Sequence, residues 1–189
     1  MNIGEQVDTL QSEIDRYRKQ IRSDYYSMSI GEWISLYEQH DIEIIGESPL
    51  RFRWSDSQKT KLIESILLGI PIPAIYVYQR QDGIWEVIDG LQRLSTIYQF
   101  VGILKDKGGN LIAPLTLQTT EYLPSLLGKI WKDIENPQGS PQGLTPEQRL
   151  LIKKAKIDVQ IVLEGSNNQF KYDLFQRLNI FRINPMSQD

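Results

Sequence analysis

Apolar residues recur at Ile3, Val7, Leu10, Ile14, Tyr17 and Ile21, spaced 4, 3, 4, 3 and 4, with Glu, Asp, Arg and Lys between them. A repeat near 3.5 residues predicts an amphipathic helix in an N-terminal segment, residues 1–27. Its stripe either packs on the following domain or pairs with a partner chain, a homo-oligomer through this helix included. Three heptads are marginal as an isolated helix. Ser29 followed by Glu32 has capping-box spacing and predicts a helix over 30–39 with Trp33, Ile34 and Tyr37 inward. Ile42–Ile45 reads as a short strand and 46–49 as a turn, before the basic-aromatic run Leu50-Arg51-Phe52-Arg53-Trp54. Ser55 or Asp56 caps the next helix, which buries Leu62, Ile63, Ile66 and Leu67 and stops at Gly69.

Pro71 and Pro73 force extended backbone, and Ala74–Gln79 and Ile84–Asp89 flank an Asp82-Gly83 turn, the signature of a β-hairpin. After Gly90, the residues Leu91, Leu94, Ile97, Tyr98, Val101 and Leu104 share one helical face, and Gly108-Gly109 closes the unit. Leu111–Leu117 reads as a strand, and Leu123–Ile134 as a helix with Trp131 inward. Residues 136–144 are rich in Pro, Gly, Ser and Gln, an exposed loop. Thr145 caps a helix that opens on Pro146, and Lys156–Leu163 alternates as a half-buried strand. Asn167 or Asn168 caps a last helix to Leu178, with Phe170, Leu174 and Phe175 inward. Ser187 looks like the cap of a further helix, so the chain reads as the N-terminal piece of something longer. Helices and strands in this mixture predict an α+β domain over 28–189.

Composition narrows the chemistry. In 189 residues, hydrophobic residues make up 40% and charged residues 24%, a globular balance long enough to bury a core. With no cysteine and one histidine, His40, the chain holds no disulfide, thiolate metal site, multi-histidine metal site or cysteine nucleophile, and a Ser-His-Asp hydrolase is not expected. The net charge of −3 excludes a sequence-wide nucleic-acid footprint but leaves room for local basic patches. The start, Met1-Asn2-Ile3-Gly4-Glu5, has no basic region and apolar core of a signal peptide, and no run approaches the roughly 20 apolar residues of a bilayer span. A cytoplasmic protein is the expectation.

The run Val87-Ile88-Asp89-Gly90-Leu91-Gln92-Arg93-Leu94-Ser95-Thr96 carries the most chemistry. A buried strand ends in a carboxylate, glycine turns the backbone, and a helix begins. The free amides and dipole of a helix N-terminus favour an anion. Gly90 would let a phosphate approach the backbone, the Leu91 and Gln92 amides would face it, and Arg93 would add a forked donor. Asp89 would hold a metal, orient a water or accept from a sugar hydroxyl. The alternative is structural: Asp89 caps the helix and Arg93 pairs with it.

This run resembles the signature of the N-terminal domain of GmrSD-type restriction endonucleases, an apolar strand followed by Asp-Gly-Gln-Gln-Arg-Leu. Arg51-Phe52-Arg53-Trp54 is similar to that family's upstream arginine-and-tryptophan segment, Leu62 to Pro73 to its helix and proline exit, and Phe175-Gln176-Arg177-Leu178-Asn179 to its late Phe-x-x-Leu-Asn element. The resemblance spans residues 28–189 and implies an α+β domain of the ParB and sulfiredoxin-like fold. It also implies nucleotide binding and hydrolysis in bacterial defence against phage and modified DNA, with nuclease activity in a separate C-terminal domain or subunit. Carried over by position, Asp89, Gln92 and Arg93 would be the catalytic residues. Gly90, Leu91, Arg51 or Arg53, and Asn179 would bind the nucleoside triphosphate. Leu91 replaces the signature's first glutamine. Mg²⁺ would ride on the phosphates, and Asp89 would orient the attacking water.

Other signals carry less. Gly128-Lys129 lacks the glycine loop of a Walker motif. Asp133 and Glu135 lack a nuclease pattern. The basic groups Arg149, Lys153, Lys154 and Lys156, and Arg16, Arg18, Lys19 and Arg22, read as solvated faces or as DNA-phosphate contacts. Trp33, Trp54, Trp85 and Trp131 read as core, and His40 as an exposed helix end. Two functions follow: a nucleotide-binding module, with Mg²⁺-dependent triphosphatase activity, or a non-catalytic DNA-binding or assembly domain whose pocket is vestigial.

Overall fold

The computed structural model describes residues 3–19, 22–44, 54–133 and 142–163, together with positions 173, 176 and 177. Among these residues five α-helices accompany one mixed five-stranded sheet, an α+β architecture. The chain runs α1 (Ile3–Arg18), β1 (Ser23–Ser29), α2 (Ile30–Glu38), β2 (Ile42–Glu43), α3 (Asp56–Leu68), β3 (Ile75–Gln79), β4 (Trp85–Asp89), α4 (Leu91–Val101), α5 (Pro146–Lys154) and β5 (Lys156–Val162).

The predicted helix starts hold because their caps are local chemistry. Ser29, Ser55 and Thr145 each accept from the amide three residues on, while Glu32, Gln58 and Gln148 accept from the cap's own N–H. The hairpin holds for the same reason, with Asp82 accepting from the Ile84 amide inside its turn. The sheet order is β1-β5-β3-β4-β2. β1 runs antiparallel to β5 and β3 antiparallel to β4; β3 and β5, and β2 and β4, are parallel. Ile75 and Val77 of β3 and Ile157, Val159 and Ile161 of β5 join Ile30 and Trp33 of α2, Ile63 of α3, and Leu94, Ile97 and Tyr98 of α4 in one buried cluster. The Tyr98 hydroxyl donates to the Trp33 carbonyl at 3.0 Å, and its ring stacks on Tyr37 with centroids 4.3 Å apart. Burial pushes the Tyr98 hydroxyl pKa up from its ordinary value of 10.0. Of the tryptophans, Trp33 is fully buried and the other three pack partly buried against the core. His40 is exposed just past α2.

One strand is unannounced by the sequence, and three expectations are corrected. Ser23–Ser29 is a strand that no apolar alternation announces: Tyr25 is 74% exposed, and only Met28 of its seven residues is buried. β1 is an edge strand, held by its ladder to β5 rather than by side-chain burial. Leu111–Leu117 is not a strand. Leu111 makes one isolated bridge to Lys105, and Leu115 and Leu117 are buried as anchors of an irregular segment. Leu123–Ile134 is not a helix in its described part, to Asp133, but a short 3-10 turn at Pro124–Leu126. The Gly128 and Ile130 amides donate to the Leu117 and Gln142 carbonyls, both at 2.9 Å, and the Lys129 carbonyl accepts from the Leu117 amide, so backbone hydrogen bonds to other segments take the place of helical ones. Trp131 still packs edge-on against Phe100, with centroids 5.7 Å apart. Finally, α4 stops before the predicted Gly108-Gly109, at Gly102, whose φ of 86° is a left-handed helix end. Leu104 is buried but lies beyond the helix. Most of the helix expected over 167–178 lies outside the described residues.

Candidate functional site

The β4–α4 junction forms as the sequence pattern implies. β4 ends at Asp89, Gly90 is the N-cap residue, and α4 begins at Leu91. By the geometry of any α-helix its first amides lack intrahelical acceptors, so donors and dipole point out of this end. Gly90 adopts φ 104°, ψ 6°, which L-residues with a side chain rarely occupy.

Gly90 has a second role that the sequence does not announce. A Cβ at this position would lie 2.3 Å from Ile75 Cδ1, and 3.2 Å from Ile75 Cγ2 and Arg93 Nη2. The missing side chain is therefore filled by β3 and by the guanidinium. On this side the absence of a side chain admits the close approach of Ile75.

Arg93 lies one helical turn on, with its side chain 9% exposed. Nη2 donates to Asp89 Oδ2 and to the Ala74 carbonyl, each at 3.1 Å. The structural alternative is thus half met. Arg93 pairs with Asp89, but Asp89 does not cap the helix, since Gly90 is the cap and offers no side chain. The guanidinium joins the start of β3, the end of β4 and the first turn of α4. Gln92 Oε1 accepts from the Trp54 amide at 3.4 Å, linking α4 to the residue just ahead of the α3 cap. Ser95 and Thr96, both buried, donate back to the Leu91 and Gln92 carbonyls at 2.6 and 2.7 Å. Their hydroxyls are thereby satisfied inside the core without a partner element.

Asp89, Gly90, Leu91, Gln92 and Arg93 are thus brought to one place by contiguous chain. Arg51, Arg53 and Asn179 lie outside the described residues. Lys153, Lys154 and Lys156 are exposed, and Arg149 donates to the Leu144 carbonyl.

A family model described as the N-terminal domain of the GmrSD restriction endonuclease matches residues 51–187. The chain belongs to that family. The GmrSD N-terminal match takes in α3 through β5 and the whole β4–α4 junction, while α1, β1, α2 and β2 precede it. β1 and β2 nevertheless complete the two edges of the sheet that carries the matched strands. Membership identifies the chain as carrying a domain of a restriction system. No curated protein and no solved structure matches the chain, so the ParB-like fold remains what the resemblance implies. No helix among the described residues is long and apolar enough to cross a membrane.

One feature of the surface has no sequence signature. A cleft of about 980 Å³ opens at the far end of α4, lined by Tyr37, His40, Ile44, Leu104, Lys105 and Leu111 among others. α4 is 11 residues long, about 16 Å at 1.5 Å per residue, so this cleft is distinct from the β4–α4 junction. The apolar residues that line it come from four separate stretches of chain, which is why no local pattern marks it.

Proposed function

We propose that this domain binds a nucleoside triphosphate at the β4–α4 junction, as the recognition module of a bacterial restriction or phage-defence protein. The observation that carries the reading is the placement of Asp89 at the end of β4 beside Gln92 and Arg93 in the first turn of α4, within the span that the family model matches. The amides of Leu91 and Gln92 supply donors to phosphate oxygens, and Arg93 supplies positive charge beneath them. Arg51 or Arg53 and Asn179 complete the contacts by analogy with the family signature. Asp89 is the junction's one signature carboxylate and is already paired with Arg93, so a Mg²⁺ ion fits here only with phosphate oxygens and water making up most of its shell. When bound, the ion neutralises charge on the phosphates. Asp89 orients the water for hydrolysis in this reading, and nuclease action belongs to a C-terminal effector domain or partner.

Titration calorimetry of the full chain against ATP, GTP, CTP and UTP with Mg²⁺, with released phosphate read in the same samples, tests it. Binding of at least one nucleotide, weakened tenfold or more by Gln92→Ala, is the expected result. No heat and no thermal stabilisation with any of the four defeats it.

The engagement of Arg93 Nη2 by Asp89 and the Ala74 carbonyl favours a second reading, a non-catalytic DNA-binding or assembly domain whose junction is purely structural. Salt-dependent binding to duplex DNA without nucleotide binding is its signature.

A further inference from the structure

Among the described residues, nothing buries the stripe of α1 from Thr9 onward. Leu10 and Tyr17 are each 59% exposed and Ile14 is 37% exposed. Every side chain described along α1, from Thr9 to Arg18, is exposed. A lone 16-residue helix is marginal in water, because one hydrogen bond per residue barely offsets the ordering of the backbone. The stripe itself offers the missing stabilisation if something covers it.

The sequence register specifies what does. Numbered as heptads, Val7, Ile14 and Ile21 occupy a positions, and Ile3, Leu10 and Tyr17 occupy d positions. β-branched residues at a, with leucine among the d residues, favour two strands over three or four. The flanking positions then fix direction. Glu13 is the one acidic residue at a g position and Arg18 the one basic residue at an e position, and the remaining e and g residues of residues 3–20 are Gly4, Gln6, Gln11 and Gln20. In a parallel, in-register pair each g position faces the e position five residues on in the other helix, so Glu13 meets Arg18 of the second copy twice over. In an antiparallel pair g faces g and e faces e, and no opposite charges meet. Glu13 and Arg18 are both exposed and available for this contact.

We infer that α1 is a parallel, two-stranded coiled-coil segment that pairs this chain with a second copy of itself. The pairing is independent of any nucleotide at the β4–α4 junction. It sets two junctions on one dimer, with both α1 helices leading into the edge strand β1 from the same end.

Sedimentation equilibrium of the full chain tests the inference, at concentrations up to about 200 µM, where a dissociation constant near 10 µM leaves most chains paired. The expected species is a dimer of the 21.9 kDa chain. The variant Leu10→Lys/Ile14→Lys alters only exposed side chains and is expected to be a monomer with an unchanged thermal midpoint for the domain. Glu13→Arg and Arg18→Glu are each expected to weaken pairing about tenfold, as two attractive contacts become repulsive, and the double swap to restore it to within about threefold. Because the chain has no cysteine, Leu10→Cys introduces a unique thiol, and oxidation is expected to lock a covalent dimer, which only parallel, in-register helices permit. A monomer at the top concentration overturns the inference. So does a trimer or larger species, a dimer that survives the double lysine variant, or a failure of the cysteine variant to cross-link.

Discussion

Replacing Gly90 with alanine separates the packing role of this residue from any role in ligand approach. Two penalties follow from the structure. The backbone sits at φ 104°, ψ 6°, where an L-residue is strained by about 1–2 kcal/mol. The new methyl would lie 2.3 Å from Ile75 Cδ1, so the fully buried Ile75 side chain must shift to admit it. Overpacking of this kind costs about 1–3 kcal/mol. Together they predict a loss of about 3 kcal/mol, a large share of the 5–15 kcal/mol typical of a domain. In a chain of 189 residues this lowers the thermal midpoint by about 6–12 °C, without nucleotide present.

Ile75→Val removes the nearest atom, Cδ1, and leaves Cγ2 at 3.2 Å from the same point. Alone it costs about 1 kcal/mol. Combined with Gly90→Ala it relieves the collision but not the backbone strain, so the two changes should couple favourably by about 1–2 kcal/mol. Urea unfolding of the wild type, both single variants and the double variant measures this cycle. Were Gly90→Ala to cost under 0.5 kcal/mol, or the coupling to vanish, the argument that Ile75 fills the space at Gly90 would be refuted.

Arg93→Met should lower stability by about 2–4 kcal/mol in the same unfolding assay, because it takes the guanidinium from a partly buried carboxylate and from the Ala74 carbonyl; a neutral result would show that the pair is not desolvated. Ser55→Ala removes the α3 cap and should cost about 1 kcal/mol, with Ser55→Asp retaining most of it. Hydrogen bonds from the Ser29 hydroxyl, then from its amide, hold the Glu32 carboxyl below its ordinary pKa of 4.5. A depressed carboxylate stabilises the fold above its unfolded pKa, and that contribution is lost as pH falls through the lower folded value. Urea midpoints measured from pH 6 down to pH 3 should therefore fall less steeply in Ser29→Ala than in the wild type, and parallel curves would count against the capping box as the cause.

The parts of this protein that sequence determines are those governed by neighbours along the chain. Ser29, Ser55 and Thr145 could be read as caps because each is answered three residues later. The Asp82-Gly83 turn fixes the hairpin, and the strand–Gly90–helix order fixes where Asp89 and Arg93 stand. The heptads of α1 are equally local. Tertiary structure decided what those pieces meet. β1 was invisible because an edge strand exposing Tyr25 and Tyr26 carries no alternation, and only pairing with β5, more than 120 residues away, makes it a strand. The segment at 123–133 is not a helix because its Gly128 and Ile130 amides donate to the Leu117 and Gln142 carbonyls, 11 and 12 residues distant. At the junction, Ile75 against Gly90 and Ala74 against Arg93 join residues 15 and 19 apart, and Gln92 against Trp54 spans 38. Hydrogen-bond caps and turns act over three or four residues and leave a local signature, whereas packing acts over ångströms between segments whose separation in sequence carries no such signal.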